Sequence, residues 1–345
     1  MTRRILFGLL ALGPAVVVLD LFGAPDMLLF LVAAAALIPL AWLIGEATEH
    51  AAHHTGPGVG GFLNATLGNA PELIIALFAV NEGLTEVVRG SLSGSVIGNL
   101  LLVLGFSLLF GGKGELDRES SFIAFGLVGL ATLLFLIPSI PGWDGNPERH
   151  TLARLSLPVS VFLLLVYISV TWFTLRRHRR RHVVDESGSF DAWSLPVSLL
   201  VLAAATVVTA FVAEILVHTL ETFAEKAHLT DFFVAAVIVA IVGNAAEHGG
   251  AVVVAARGKI KLAAEIALAS SAQVAVFLIP AVALVAWAID PLALSFRPVE
   301  IGVLGASALF AAVLLWDGRS SRLRGAVLIT AYVGAAVAFF LSGDR

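Results

Sequence analysis

Two stretches decide which fold this sequence predicts: Gly68-Asn69-Ala70-Pro71-Glu72 and, 175 residues later, Gly243-Asn244-Ala245-Ala246-Glu247. Each stretch places a Gly-Asn pair and a glutamate inside a long apolar run. Further identities follow at the same offset without a gap, namely Ala65/Ala240, Ala76/Ala251, Gly83/Gly258 and Ser95/Ser270. Single matches of alanine or glycine carry little weight, but two G-N-A-x-E motifs within apolar runs are hard to attribute to composition. The sequence therefore predicts an internal repeat.

The composition predicts a membrane protein. Of the 345 residues, 59% are apolar and only 13% are charged, whereas soluble globular chains carry about 25% charged residues. This excludes a soluble enzyme, a disordered chain and a basic nucleic-acid-binding domain. Cysteine is absent, which excludes disulfide frameworks, thiol catalysis and iron–sulfur clusters. The expected surroundings are a lipid bilayer, with no nucleic acid as partner.

Eleven apolar runs are long enough to cross a bilayer, because a helix needs about 20 residues to span about 30 Å of hydrocarbon. Their continuity favours helices over the short alternating strands of a transmembrane barrel. We therefore predict an all-α polytopic membrane protein with 11 transmembrane helices. The runs are 5–22, 27–45, 62–80, 91–110, 122–138, 155–175, 195–220, 231–256, 262–288, 299–316 and 326–342.

The distribution of positive charge predicts the orientation. A cytoplasmic N-terminus places 15 of the 21 Lys and Arg residues on the cytoplasmic side, in agreement with the positive-inside rule, and leaves the C-terminus outside. We expect a multi-pass plasma membrane protein, in a bacterium the inner membrane. The predicted organisation is an extra N-terminal helix (1–26), a first repeat (27–180), a cytoplasmic linker (181–193) and a second repeat (194–345).

Each predicted repeat has five spans, and this odd number forces the second repeat to enter the membrane from the opposite side. Inverted five-helix repeats are typical of secondary transporters, whose binding sites lie near the midplane. Glu72 lies 11 residues from Gly61, and Glu247 lies 10 residues from Arg257. At about 1.5 Å per residue, both glutamates would sit roughly 15–17 Å deep. The two carboxylates are therefore expected to meet half-way across the membrane.

A pair of carboxylates at this depth favours exchange of a cation for protons. Each costs about 2.5–3.5 kcal/mol to insert, and each disfavours the charge of the other. One divalent cation or two protons would neutralise both, whereas the empty, doubly charged site would be costly to close. Calcium takes 6–8 oxygen ligands, so Asn69 and Asn244 are expected either to join Glu72 and Glu247 as metal ligands or to orient the two carboxylates through hydrogen bonds. Gly68 and Gly243 would loosen the helices beside them.

Two further polar groups surround these motifs. The first either lines the site or only holds helices together through hydrogen bonds; it comprises Ser95, Asn99, Ser270, Ser271 and Gln273, with Ser91 and Ser93 nearby. The second either forms a vestibule that attracts cations or is a solvated helix end; it comprises Glu46 and Glu49 on one span and Glu214 and Glu221 on its counterpart.

Four motifs together resemble the paired signature repeats of the calcium/cation exchanger superfamily, and most of all its calcium/proton antiporter branch. They are G-N-A-x-E-L-I-I-A at 68–76, S-L-x-G-S at 91–95, G-N-A-A-E-H at 243–248 and S-S-x-Q at 270–273. The resemblance covers the chain from about residue 27 onward. It implies a ten-helix inverted-repeat core with one extra helix, and transport by alternating access.

The resemblance also implies roles for individual residues. Glu72 and Glu247 would bind the cation and the exchanged protons. Asn69, Asn244, Ser95, Ser270 and Gln273 would line the site. The sequence departs from the family pattern at Gly98, where a polar residue is common, and in its linker, which holds only Asp185, Glu186 and Asp191. Regulation by a long acidic segment is therefore not expected.

The predicted function is a secondary active transporter that exchanges cytoplasmic calcium, or a similar divalent cation such as manganese, for protons, without a cofactor. An exchanger that uses sodium or potassium instead remains an alternative. A passive cation channel and a membrane metalloenzyme are less favoured. The zinc protease motif H-E-x-x-H is absent, and only one E-x-x-H element was found, at 225–228. The sequence leaves the oligomeric state open, a homo-oligomer included.

Overall fold

The computed structural model describes residues 2–143, 149–179 and 193–343, without the side chains of 2–3, 56–66, 149, 174–179 and 246–248. The helices of the first half are α1 (Thr2–Leu9), α2 (Leu12–Leu21), α3 (Asp26–Leu67), α4 (Ala70–Asn81), α5 (Thr85–Ile97), the π-helical segment π1 (Gly98–Val103), α6 (Leu104–Gly111), α7 (Arg118–Trp143) and α8 (Arg149–Arg179). The predicted linker and its arginine-rich neighbour, 176–182, lie largely outside the described residues.

The second half is built from the same kinds of element. They are α9 (Leu195–Ala227), α10 (Asp231–Phe233), π2 (Val234–Val239), α11 (Ala240–Gly243), α12 (Ala245–Ala256), α13 (Ile260–Gln273), π3 (Val274–Leu278), α14 (Ile279–Ala286), α15 (Pro298–Leu314) and α16 (Arg322–Ser342). Two short strands complete the fold, β1 (Gly114–Glu115) and β2 (Arg319–Ser320), which pair antiparallel.

Eight described helices are long and apolar enough to cross a membrane, and three shorter ones are also apolar. The chain is therefore a helical, multi-pass membrane protein, as expected from its composition. One predicted boundary is wrong: α3 runs without a break from Asp26 to Leu67, whereas the apolar runs ended one span at 45 and began the next at 62. Polar residues end an apolar run, but they do not end a helix while the backbone hydrogen bonds continue.

Two long helical stretches form the centre of the bundle. In the apolar windows of Thr85–Gly111 and Ile260–Ala286, 83% and 67% of residues are buried, against 22% in α16. α5 also lies very close to π2, because a Cβ on Gly94 would stand 2.0 Å from the Ala236 carbonyl oxygen. Only glycine permits this approach. The serines of α5 and α13, and Asn99 of π1, are buried inside the protein.

A second pair of helices, α3 and α9, packs side by side along much of its length. The rings of Phe30 and Phe223 stack across this contact with centroids 4.1 Å apart. The N-terminal α2 rests on both helices through Gly13, whose position faces Val208 and Leu40. The extra N-terminal helix is therefore an addition to the α3–α9 pair rather than part of the central bundle.

The β1–β2 ribbon ties the two halves of the chain together. Beside it, Lys261 of α13 forms an ion pair with Asp117 at 3.1 Å. The backbone N–H of Ser120 and then the Lys261 ammonium lower the pKa of the Asp117 carboxyl. An ion pair therefore joins the two halves beside the ribbon.

Candidate functional site

The two G-N-A-x-E motifs interrupt their helices in the same way. Gly68 and Asn69 separate α3 from α4, and Asn244 separates α11 from α12. Asn69 has φ −96° and ψ 18°, and Asn244 has φ −90° and ψ 5°. The loosening expected at the Gly-Asn pairs is thus present in both motifs, with nearly the same backbone conformation.

Glu72 lies in the first turn of α4 and is 93% buried, since only 7% of its surface is exposed. A helix N-terminus favours negative charge, and Pro71 costs no hydrogen bond there because first-turn N–H groups have no partner within the helix. A Cβ built on Gly243 would stand 3.5 Å from Glu72 Cγ and 3.7 Å from Oε1. The first carboxylate therefore reaches the helix break of the second motif.

Glu247 occupies the equivalent place in α12, three residues after Asn244. Its side chain lies outside the described residues, so the meeting of the two carboxylates stays a prediction. The backbone position is compatible with that meeting, because the Glu72 carboxyl already lies against Gly243, four residues before Glu247.

Asn244 links the second motif to α5. Its Nδ2 donates to Ser95 Oγ at 2.7 Å and to the Ala240 carbonyl at 2.9 Å. Its Oδ1 is buried and accepts no hydrogen bond from any described residue. An amide that is held by its nitrogen and leaves its oxygen unbonded in a buried site is suited to coordinate a cation.

Two further hydrogen bonds join α13 to α5 and to π1. Asn99 Nδ2 donates to Ser270 Oγ at 2.9 Å, and Ser271 Oγ donates to the Val96 carbonyl at 3.3 Å. Val96 and Ser271 are 175 positions apart, which is the offset of the motif repeat. Asn99, Ser270 and Ser271 are each at most 4% exposed. The structure thus brings together most of the polar residues predicted to line the site, in dry surroundings.

Other predicted lining residues are less central. Gln273 is the last residue of α13 and is half-buried, where π3 begins. Gly68 is half-buried in the first helix break. Ser91 accepts from Ser95 Oγ through its carbonyl, at 2.8 Å, and Ser93 bonds back to Arg89 O. Both hydrogen bonds lie within α5, so these two serines bond their own helix rather than a neighbouring one.

The predicted vestibule residues lie on α3 and α9. Glu46 is within 3.7 Å of His50 Nε2, and Glu49, Glu214 and Glu221 are exposed. His50 stacks on Trp193 with ring centroids 4.3 Å apart. This middle part of α3 therefore contacts Trp193, two residues before α9 begins. Spacing did not predict that role, and the cation-attracting role of these glutamates stays a prediction.

The chemistry of the site is that of oxygen ligands. Across the described side chains, which leave out Glu247, no three His, Asp or Glu residues converge as a metal cluster. The described groups around Glu72 and Asn244 offer carboxyl, amide and hydroxyl oxygens. Such ligands suit calcium and other hard cations and disfavour metals that prefer imidazole or thiolate.

Comparison with known proteins gives a consistent result. The profile of the family described as "Sodium/calcium exchanger protein" matches the chain twice, over residues 26–176 and 197–341. The Ca(2+)/H(+) antiporter ChaA of Bacillus subtilis is 38% identical over 98% of this chain and 99% of its own length.

Solved structures agree in fold. Native YfkE superposes with a TM-score of 0.84 at 36% identity, over 97% of this chain and 99% of its own. The H+/Ca2+ exchanger CAX superposes with a TM-score of 0.75 at 15% identity, over 99% and 92%, which bears on the fold alone.

Proposed function

Because the chain belongs to the sodium/calcium exchanger protein family, we propose that it is an antiporter that exchanges calcium for protons across a membrane. The relative from Bacillus subtilis carries this activity in its name and matches the chain over nearly its whole length. The observation that carries the proposal is the buried Glu72 carboxyl lying against Gly243, at the junction of two helix breaks of the same conformation. The protein is accordingly a transporter rather than an enzyme.

The proposed cation site comprises Glu72, Glu247, Asn69 and Asn244. Ser95, Asn99 and Ser270 would line it. The Oδ1 of Asn244, which accepts no hydrogen bond from the described residues, supports its assignment as a ligand. A calcium ion or two protons would leave the pair of glutamates neutral, whereas the vacant site would hold two negative charges in dry surroundings, which is costly. This predicts about two protons per calcium ion and little uncoupled movement of either.

Two inverted repeats are proposed for the topology. The family profile matches two segments whose limits lie close to the predicted repeats 27–180 and 194–345, which supports a duplicated chain. Five spans per repeat would invert the second copy. The excess of Lys and Arg supports a cytoplasmic N-terminus and an external C-terminus, so calcium would leave a bacterial cytoplasm as protons enter. Manganese, which also accepts oxygen ligands, is proposed as a second substrate.

Transport by the purified protein in liposomes tests this function. An imposed proton gradient should drive calcium uptake, with matching proton movement measured by a pH-sensitive dye inside the vesicles. Sodium and potassium gradients at constant pH should drive none. Glu72→Gln and Glu247→Gln should each abolish exchange, whereas Glu119→Gln, an exposed position in the first turn of α7, should not. Calcium flux without proton movement would instead indicate a channel, and near-wild-type exchange in either site variant would remove the site assignment.

A further inference from the structure

The second part of the chain between α14 and α15 is buried although it is neither helix nor strand. Within residues 292–296, Leu292, Leu294, Ser295 and Phe296 are each at most 2% exposed. Buried backbone groups without partners are costly. The partners of this connecting segment (residues 292–296) therefore show what holds it in place.

Side chains from the neighbouring helices supply those partners. Ser156 Oγ accepts from the Leu294 N–H at 2.9 Å. Ser139 Oγ accepts from the Phe296 N–H at 2.9 Å, and Trp143 Nε1 donates to the Phe296 carbonyl at 2.9 Å. These residues lie on α7 and α8, so the connecting segment is fixed to the periphery of the bundle.

The fourth partner comes from α5. The Arg89 guanidinium donates to the Ser295 carbonyl and to the Glu86 carboxylate, and Arg89 is only 4% exposed. Next to it, Arg297 donates its backbone N–H to Glu300 Oε2 at 2.6 Å, and Glu300 is fully buried. A buried charge cluster of this kind adds little stability over apolar side chains of similar size. Its value has to be sought in the geometry that it fixes.

The geometry in question is the position of α5 along its own axis. Gly90 and Gly94 bring α5 against the backbones of α10 and π2, which sets the distance between the helices. These glycines present no side chain that could interlock with the opposite helix, so they add little to the resistance against sliding along the axis. Arg89 supplies a directional restraint, since its planar guanidinium must face both the Ser295 carbonyl and Glu86.

Sliding of α5 would disturb the candidate cation site. Ser95 follows Arg89 by six residues and Asn99 by ten, which corresponds to about 9 Å and about 15 Å of helix. Their bonds to Asn244 and Ser270 are 2.7 Å and 2.9 Å long. A displacement of about 1 Å is enough to break a hydrogen bond of this length or to misplace a ligand.

We propose that Arg89 is a positioning residue for the cation site. By fastening the outer part of α5 to the connecting segment, it sets the axial position at which Ser95 and Asn99 meet the second half of the chain. This inference rests on the proposed function. It assigns to Arg89 no contact with the cation, so its loss should change the affinity for calcium rather than the identity of the driving ion.

The test releases the same restraint from its two ends. Arg89→Met removes the guanidinium, and the double variant Ser139→Ala/Ser156→Ala frees the connecting segment without altering any charge. Each should raise the calcium KM of exchange in liposomes about tenfold, with a similar maximal rate. The variant that combines all three substitutions should raise the calcium KM no more than the stronger of the two separate variants does, since both release the same restraint. Arg154→Met, an exposed arginine, is the matched control and should keep the wild-type KM.

The outcomes separate the alternatives. If Arg89→Met does not fold, the serine variant carries the test alone. A purely structural role predicts a lower melting temperature in detergent with an unchanged KM in the folded fraction. That result, or KM effects that multiply in the triple variant, would overturn the proposal. If the wild-type protein exchanges no ions, the proposed function fails instead, and calcium affinities of the same variants from calorimetry still decide whether Arg89 positions the site.

Discussion

Gly243 is the position where a small change in volume should act most directly on the proposed site. Its backbone has ordinary helical geometry, so alanine and valine meet no strain of conformation there. A Cβ at this position would lie 3.5 Å from Glu72 Cγ, 3.7 Å from Oε1 and 3.8 Å from Cδ. These are normal contact distances for carbon and oxygen. Gly243→Ala should therefore fold, and it should change the calcium KM by no more than a few-fold.

Gly243→Val should be different, because each valine methyl extends about 1.5 Å beyond Cβ. A methyl directed toward Glu72 would come within about 2–2.5 Å of its side chain, well below contact distance. The carboxyl would have to move by about 1 Å, and overpacking of this size costs about 1–3 kcal/mol. If that cost falls on the calcium-bound state, the KM rises by about 5-fold to 150-fold.

The measurement is the calcium dependence of proton-driven uptake in liposomes, with the melting temperature in detergent as the check on folding. Gly250→Val is the matched control, since Gly250 is exposed on α12 and, among the described side chains, none lies within 4 Å of a Cβ at this position. It should behave as wild type. A folded Gly243→Val protein with the wild-type KM would refute the placement of the cation beside Glu72.

Three further results are expected. Asn244→Ala and Ser95→Ala remove the two ends of one hydrogen bond, so their effects on calcium KM should be coupled by about 0.5–3 kcal/mol in a double-mutant cycle; full additivity would contradict the pairing. Thr209→Val removes a buried hydroxyl that has no hydrogen-bond partner among the described residues, and should raise the unfolding free energy by about 1–3 kcal/mol, seen as a higher melting temperature. Hydrogen bonds from Arg324 lower the pKa of Asp317 to about 2. The stability that this pair contributes is thus present above the usual carboxyl pKa of about 3.9 and is lost as the pH falls toward 2. In Asp317→Asn, the melting temperature should therefore depend less on pH over that range. A variant with the same pH profile as the wild type would count against the pair.

The repeated motifs carried most of what could be predicted from the sequence. G-N-A-x-E combines a residue that loosens a helix, an amide and a carboxylate, and these local properties survive in any packing. For this reason the two helix breaks and the burial of Glu72 were predictable, and the family match agrees with the resemblance seen in the motifs. The closeness of Gly243 to Glu72 also follows the expectation that the motifs share one level of the membrane.

What escaped prediction depends on contacts between distant parts of the chain. Hydropathy located the apolar runs but not the continuation of α3 through a polar stretch. The positive-inside count treats Arg89 only as one of the six Lys and Arg residues outside the cytoplasmic side, although Glu86 three residues earlier is a signal of a paired, buried arginine. No periodicity marks residues 292–296, because their backbone is satisfied by side chains that lie 138 to 206 positions away.

The arrangement of the polar residues bears on how such a site can close without leaking. Asn244 and Asn99 use their amide nitrogens to bond serines of other helices, so the hydrogen bonds that hold the helices together would also orient the groups of the proposed cation site. A site built this way would not need to rearrange its amides when calcium leaves. Only the positive charge that balances the two glutamates would have to be replaced, and protons could replace it within the same space. Coupling would then follow from electrostatics, because closing the helices around two charged glutamates costs far more free energy than closing them around a neutral pair.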